Sequence, residues 1–109
     1  MAYAYKVLGQ SAPSATTATD VYTVGSGKQA IVSTITVANR SAVSVTYRIA
    51  IRPAGATLAN QHYIAYDVTL LANDTTVLTI GVTLAATDVV TVYASTTDLS
   101  FNIFGSEIS

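Results

Sequence analysis

The chain has 109 residues, half of them apolar and only 10% charged, and its formal net charge is −1 from five Lys plus Arg against six Asp plus Glu. That length gives one compact domain, and the near-balance of charge excludes both a nucleic-acid surface built on a basic patch and an intrinsically disordered chain. No apolar run approaches membrane-spanning length, the first residues lack the basic and apolar regions of a secretion leader, and the lack of cysteine removes disulfides and thiolate metal sites.

The first predicted strand covers residues 3–8, where Tyr3, Tyr5 and Val7 alternate with Ala4, Lys6 and Leu8. A Ser/Ala/Thr-rich stretch at 11–19 follows, so residues 1–19 are expected to form a strand and a loosely tethered arm. Such a strand can pair within its own sheet or add to a neighbour's open edge, and its tyrosines suit an interface. A short strand is expected at 21–24. The Gly25-Ser26-Gly27-Lys28 segment superficially matches a phosphate loop but lacks the glycine spacing, the following Ser or Thr and the helix, and it reads as a hairpin turn.

Residues 29–38 alternate strictly, with Ile31, Ser33, Ile35 and Val37 on one face and Val32, Thr34 and Thr36 on the other. Residues 43–51 repeat the pattern, with Val43, Val45, Tyr47, Ile49 and Ile51 on one face. The short polar link Asn39-Arg40-Ser41-Ala42 predicts that these two strands form an antiparallel hairpin. Further strands are expected at 63–66, 76–80, 89–94 and 99–104, bounded by turn residues such as Asn73-Asp74, Thr87-Asp88 and Asp98, while 83–86 is ambiguous. The whole reads as all-β: residues 1–109 as a single antiparallel β-sandwich, immunoglobulin-like or jelly-roll. Ile35, Val37, Val45, Tyr47, Ile49, Val90, Val92, Phe101 and Ile103 are its expected core.

Chemistry is sparse. His62 is the sole histidine and has no nucleophile or carboxylate at a telling spacing. The six carboxylates lie singly near turns or the terminus, where Asp commonly bonds its own backbone, and no stretch has the ligand spacing of a calcium loop. No catalytic, cofactor or metal residues are assigned. Seven tyrosines raise sugar binding, yet Tyr63 and Tyr66, three apart, fall on opposite sides of a regular strand and share no platform. Arg48 and Arg52 emerge on the face opposite Tyr47 and Ile49, either as solvated charge or paired with a neighbouring subunit's carboxylate. The loop 52–61, the longest between the firm strands, is a candidate surface. The interface candidates are Tyr3, Tyr5, Val7, Arg48, Arg52, Leu58, Asn60 and His62. A surface this poor in charge points to a protein covered by neighbours, a homo-oligomer or part of a larger assembly.

The segments Ala2-Tyr3-Ala4-Tyr5-Lys6-Val7-Leu8-Gly9-Gln10, Val37-Ala38-Asn39-Arg40, Ile51-Arg52-Pro53-Ala54-Gly55-Ala56-Thr57-Leu58-Ala59-Asn60-Gln61-His62-Tyr63-Ile64-Ala65-Tyr66-Asp67 and Leu99-Ser100-Phe101-Asn102-Ile103-Phe104-Gly105-Ser106-Glu107 carry a resemblance. Together they resemble small virion structural proteins of tailed bacteriophages, especially those of cyanobacteria and other aquatic bacteria. The resemblance implies a non-enzymatic particle component, assembled in the bacterial host cytoplasm, with no nucleic-acid or membrane partner. A capsid cement or decoration protein bound to the major capsid protein is the first expectation. A tail, collar or baseplate adaptor is the alternative, and a carbohydrate-binding host-attachment module the third.

Overall fold

The computed structural model describes residues 2–109. Eight strands follow one another: β1 (Tyr3–Ser11), β2 (Thr19–Thr23), β3 (Gln29–Asn39), β4 (Val45–Arg52), β5 (Tyr63–Leu70), β6 (Thr75–Leu84), β7 (Val89–Ala94) and β8 (Leu99–Ile108). Two short 3-10 turns, Pro53–Gly55 and Asn60–His62, lie between β4 and β5. The strands form two four-stranded sheets. Sheet A has the order β1-β8-β3-β6 and sheet B the order β2-β7-β4-β5, with every pair antiparallel. The pairs β1–β8, β2–β7, β3–β6 and β4–β5 are nested, as if one long hairpin had been wrapped into a sandwich, which is the jelly-roll solution.

Alternating β-branched and aromatic residues fill the space between the sheets. Ile35, Val37, Val45, Tyr47, Ile49, Val90, Val92, Phe101 and Ile103 are all buried, as their period-two spacing requires. Tyr47 of sheet B meets Phe101 of sheet A edge to face, with centroids 6.3 Å apart.

Strands β3 and β4 do not form the expected hairpin. Each carries an inward apolar row, and the rows face one another across the core instead of lying side by side, so the 40–44 link is an arch between sheets. Asn39, 4% exposed, builds the corner. Its amide donates to the carbonyls of Val43 (2.8 Å), Leu70 (3.2 Å) and Leu71 (3.1 Å), and its Oδ1 accepts from the Ser41 N–H (2.9 Å) and hydroxyl (2.8 Å). These bonds satisfy groups that a hairpin ladder would have paired. They also remove Val43 from the strand and leave it 61% exposed. The Gly25–Lys28 turn likewise joins opposite sheets, β2 to β3, so it is a turn but not that of a hairpin; Gly27 takes φ +74° and the Lys28 N–H closes on the Gly25 carbonyl.

A bulge also overturns the alternation expected in β3. Against β8, Val32 pairs with Gly105 and Thr34 with Phe104, leaving Ser33 as an extra residue. The phase therefore flips there: Ala30 and Val32 point inward with Ile35 and Val37, and Ile31 turns outward. Leu8 is the extra residue of β1 against β8. Of the two pairings open to the N-terminal strand, the structure has the one within its own sandwich: β1 is the end strand of sheet A. The link after it is anchored, with Pro13 buried and the Thr16 N–H bonded to the Ala94 carbonyl at 2.8 Å.

Candidate functional site

Sheet A presents a face almost without charge. Its four strands contain one Lys, Lys6, and one Glu, Glu107. These two bond each other at 2.8 Å. Glu107 also accepts the Tyr22 hydroxyl at 2.6 Å. The Lys6 ammonium and the Tyr22 hydroxyl hold the Glu107 carboxyl below the usual carboxylate range, while burial and that carboxylate push the Tyr22 phenol up.

The outward positions of sheet A are mostly apolar or hydroxylic, with the amides of Gln10 and Asn102 bonded to each other among them. Tyr3, Tyr5 and Val7 are 61%, 86% and 47% exposed along β1. Register sets Val7 beside Phe104, and Tyr5 beside Ser106, which in turn lies beside Ile31. A shallow depression runs between them, lined by Tyr5, Ile31, Ser33 and Phe104 together with Lys6. Because β1 ends its sheet, the backbone groups along its outer edge have no strand partner among the described residues. Tyr3, Tyr5 and Val7 are thus gathered on one face, as their alternation indicated. Ile31 joins them only because of the Ser33 bulge, and no periodicity announces that.

Sheet B carries two of the three arginines, Arg48 and Arg52. Arg52 is a staple within the chain: Nη2 meets Asp20 Oδ1 at 2.8 Å, Nε donates to the Thr91 hydroxyl, and Nη1 donates to the carbonyls of Gly55 and Ala56. Asp88 ties the same loop from below by accepting the N–H groups of Ala54 and Ala85. Arg48 donates to both oxygens of Asp67, with Nε–Oδ1 2.6 Å. Its guanidinium lies 4.2 Å from the ring centroids of both Tyr66 and Tyr93. The hydrogen bond to Asp67 raises its already high pKa. Both arginines have carboxylate partners in their own chain, so neither is merely solvated charge. Asp74 and Asp88 bond nearby backbone as turn residues do, whereas Asp20 and Asp67 are arginine partners.

Tyr63 and Tyr66 stand together, contrary to the parity argument. Against β4, Tyr47 pairs with Val68, Ile49 with Ala65 and Ala50 with Tyr63, so β5 contains two extra residues. Asp67 holds φ 49°, a backbone region that Asp tolerates better than most residues. The two shifts bring both rings to one side, with centroids 4.8 Å apart and an interplanar angle of 82°. Asn60, exposed, sits on the rim of the depression they line.

Of the other loop candidates, Leu58 is half-buried. His62 closes the loop by accepting the Ala59 N–H at Nδ1 (3.0 Å) and donating its own N–H to the Ala59 carbonyl. Tyr63, Tyr66, Tyr93 and Asp67 were not singled out as site residues by sequence, because their grouping depends on bulges and on strand pairing. Among the described residues, no three His, Asp or Glu side chains gather as a metal site would require. No helix among them is long and apolar enough to cross a membrane. No family model matches the chain, and no curated protein is significantly similar to it.

Proposed function

We propose that the chain is a non-enzymatic structural protein of a bacteriophage virion, a cement or decoration protein that seats its sheet A face on the major capsid protein. The observation that carries this reading is the outer face of sheet A. It exposes Tyr3, Tyr5, Val7 and Ile31 together, and the one Lys and one Glu of the sheet, Lys6 beside Tyr5 and Glu107, are paired with each other. Exposed apolar patches with aromatic centres mark interaction surfaces, and tyrosine is enriched where they form. An open edge strand beside the patch adds backbone hydrogen-bonding capacity. The sequence resemblance supplies the particle as the setting. The same charge-poor face favours association with further copies of the chain around each capsid site.

The test is to add purified protein to particles stripped of it, comparing the native chain with Tyr5→Asp and Val7→Asp. Both positions are exposed, so the variants are expected to fold with little change in melting temperature. They should fail to rebind. Undiminished rebinding would refute the assignment of this face, and rebinding confined to tails would replace the cement reading by a tail adaptor.

A further inference from the structure

The β5 irregularity does more than bend a strand. Two extra residues interrupt its ladder with β4, and Asp67 occupies the left-handed region. Bulges of this kind re-aim side chains and cluster beside binding sites. Here they turn Tyr63 and Tyr66 into a right-angled corner with Asn60 at its rim. Tyr66 is backed by Arg48 at 4.2 Å, and Arg48 is in turn held by Asp67 and the second ring, Tyr93. The ring is fixed in place, yet Tyr66 remains 55% exposed.

The electrostatics of the corner restrict what it can hold. An anion finds Arg48 already neutralised by a two-point bond to Asp67. A cation seeking the Tyr66 face meets the guanidinium stacked on the same ring, and like charges repel. What remains is a neutral ligand. It must offer a flat C–H face to a tyrosine ring and hydroxyls to the groups around it. The Asn60 amide supplies both a donor and an acceptor, and each phenol can act as either. A preordered aromatic loses little rotamer freedom when a ligand stacks on it.

We propose that the Tyr63–Tyr66–Asn60 corner is a binding site for a neutral saccharide, stacked on tyrosine and hydrogen-bonded to Asn60. This site lies on sheet B and does not rest on the virion reading, which concerns sheet A.

The test is NMR titration of the full chain, following the tyrosine ring and Asn60 side-chain signals. The probes are neutral oligosaccharides of glucose, mannose, galactose and N-acetylglucosamine, with tetramethylammonium, sulfate and a proline-rich peptide as comparison ligands. Saturable shifts at Tyr63, Tyr66 and Asn60 are expected with at least one saccharide. Tyr66→Ala should weaken that binding by about tenfold or more. Asn60→Ala, at an exposed position that leaves the fold intact, should weaken it as well, and Tyr5→Ala should not change it. The proposal is overturned if no saccharide shifts these signals, if only a comparison ligand does, or if Asn60→Ala and Tyr66→Ala both bind as the native chain does.

Discussion

Replacing Asn39 by Ala tests the corner that sends the chain from sheet A to sheet B. The substitution removes three donated bonds, to the carbonyls of Val43, Leu70 and Leu71, and two accepted ones from Ser41. The bond to Leu70 is buried and water cannot replace it, so its loss costs about 1–3 kcal/mol. The bonds to Val43 and Leu71 are partly buried and add roughly 0.5–1.5 kcal/mol each. Since solvent can take over the partly buried bonds once the amide is gone, the expected total is about 2–5 kcal/mol, or a fall in melting temperature of roughly 10–25 °C. Asn39→Asp is expected to be at least as harmful at neutral pH, because it sets a carboxylate oxygen against the same carbonyls while keeping the acceptor for Ser41. Asn102→Ala is the control: its bond to Gln10 is exposed, and its effect should stay within about 0.5 kcal/mol. Urea and thermal unfolding of the three variants decide the matter. A loss below about 1 kcal/mol for Asn39→Ala would refute the role assigned to this side chain.

Three further outcomes are expected. Ile49→Ala, at a fully buried position, should cost about 2–5 kcal/mol in urea denaturation. Gly105→Ala should destabilise by about 1–3 kcal/mol, because its new methyl group would collide with the Ile31 carbonyl oxygen where β8 lies against β3; an unchanged midpoint would show that the strands part at no cost. Glu107 has a folded pKa below its unfolded value near 4.3, so its ionised form contributes stability above that value, and the contribution disappears as pH falls through the lower, folded pKa. Glu107→Gln should accordingly lower stability at pH 7 and flatten its fall in the acid range, as read from urea midpoints against pH.

What the sequence disclosed follows from what periodicity can encode. Val45, Tyr47 and Ile49 alternate without interruption, so their burial was readable, and the same holds for Phe101 and Ile103. The all-β class followed from eight such segments. The pairing did not, because the strands joined in each sheet are mostly distant in the chain and the Asn39–Ser41 corner has the composition of an ordinary hairpin turn. The bulges were equally hidden. A bulge is a mismatch in residue count between two strands, and Ser33 or Ile64 carries no mark of it in its own neighbourhood. That is why alternation sets Ile31 on the face of Ile35 and Val37 and separates Tyr63 from Tyr66. Asp67 gave the one local hint, being of a residue type that accepts positive φ. Arg48 and Arg52 lie on the face opposite Tyr47 and Ile49, as alternation implies, but their partners Asp67 and Asp20 come from strands whose pairing had to be known first.

The central claim, that this chain is a capsid cement protein, is tested most directly by its copy number in purified particles, measured by quantitative mass spectrometry against the major capsid protein. A cement protein bound at every equivalent capsid site must appear in a fixed, simple ratio to the major capsid protein. A copy number matching the tail proteins, or absence from the particle, would contradict it.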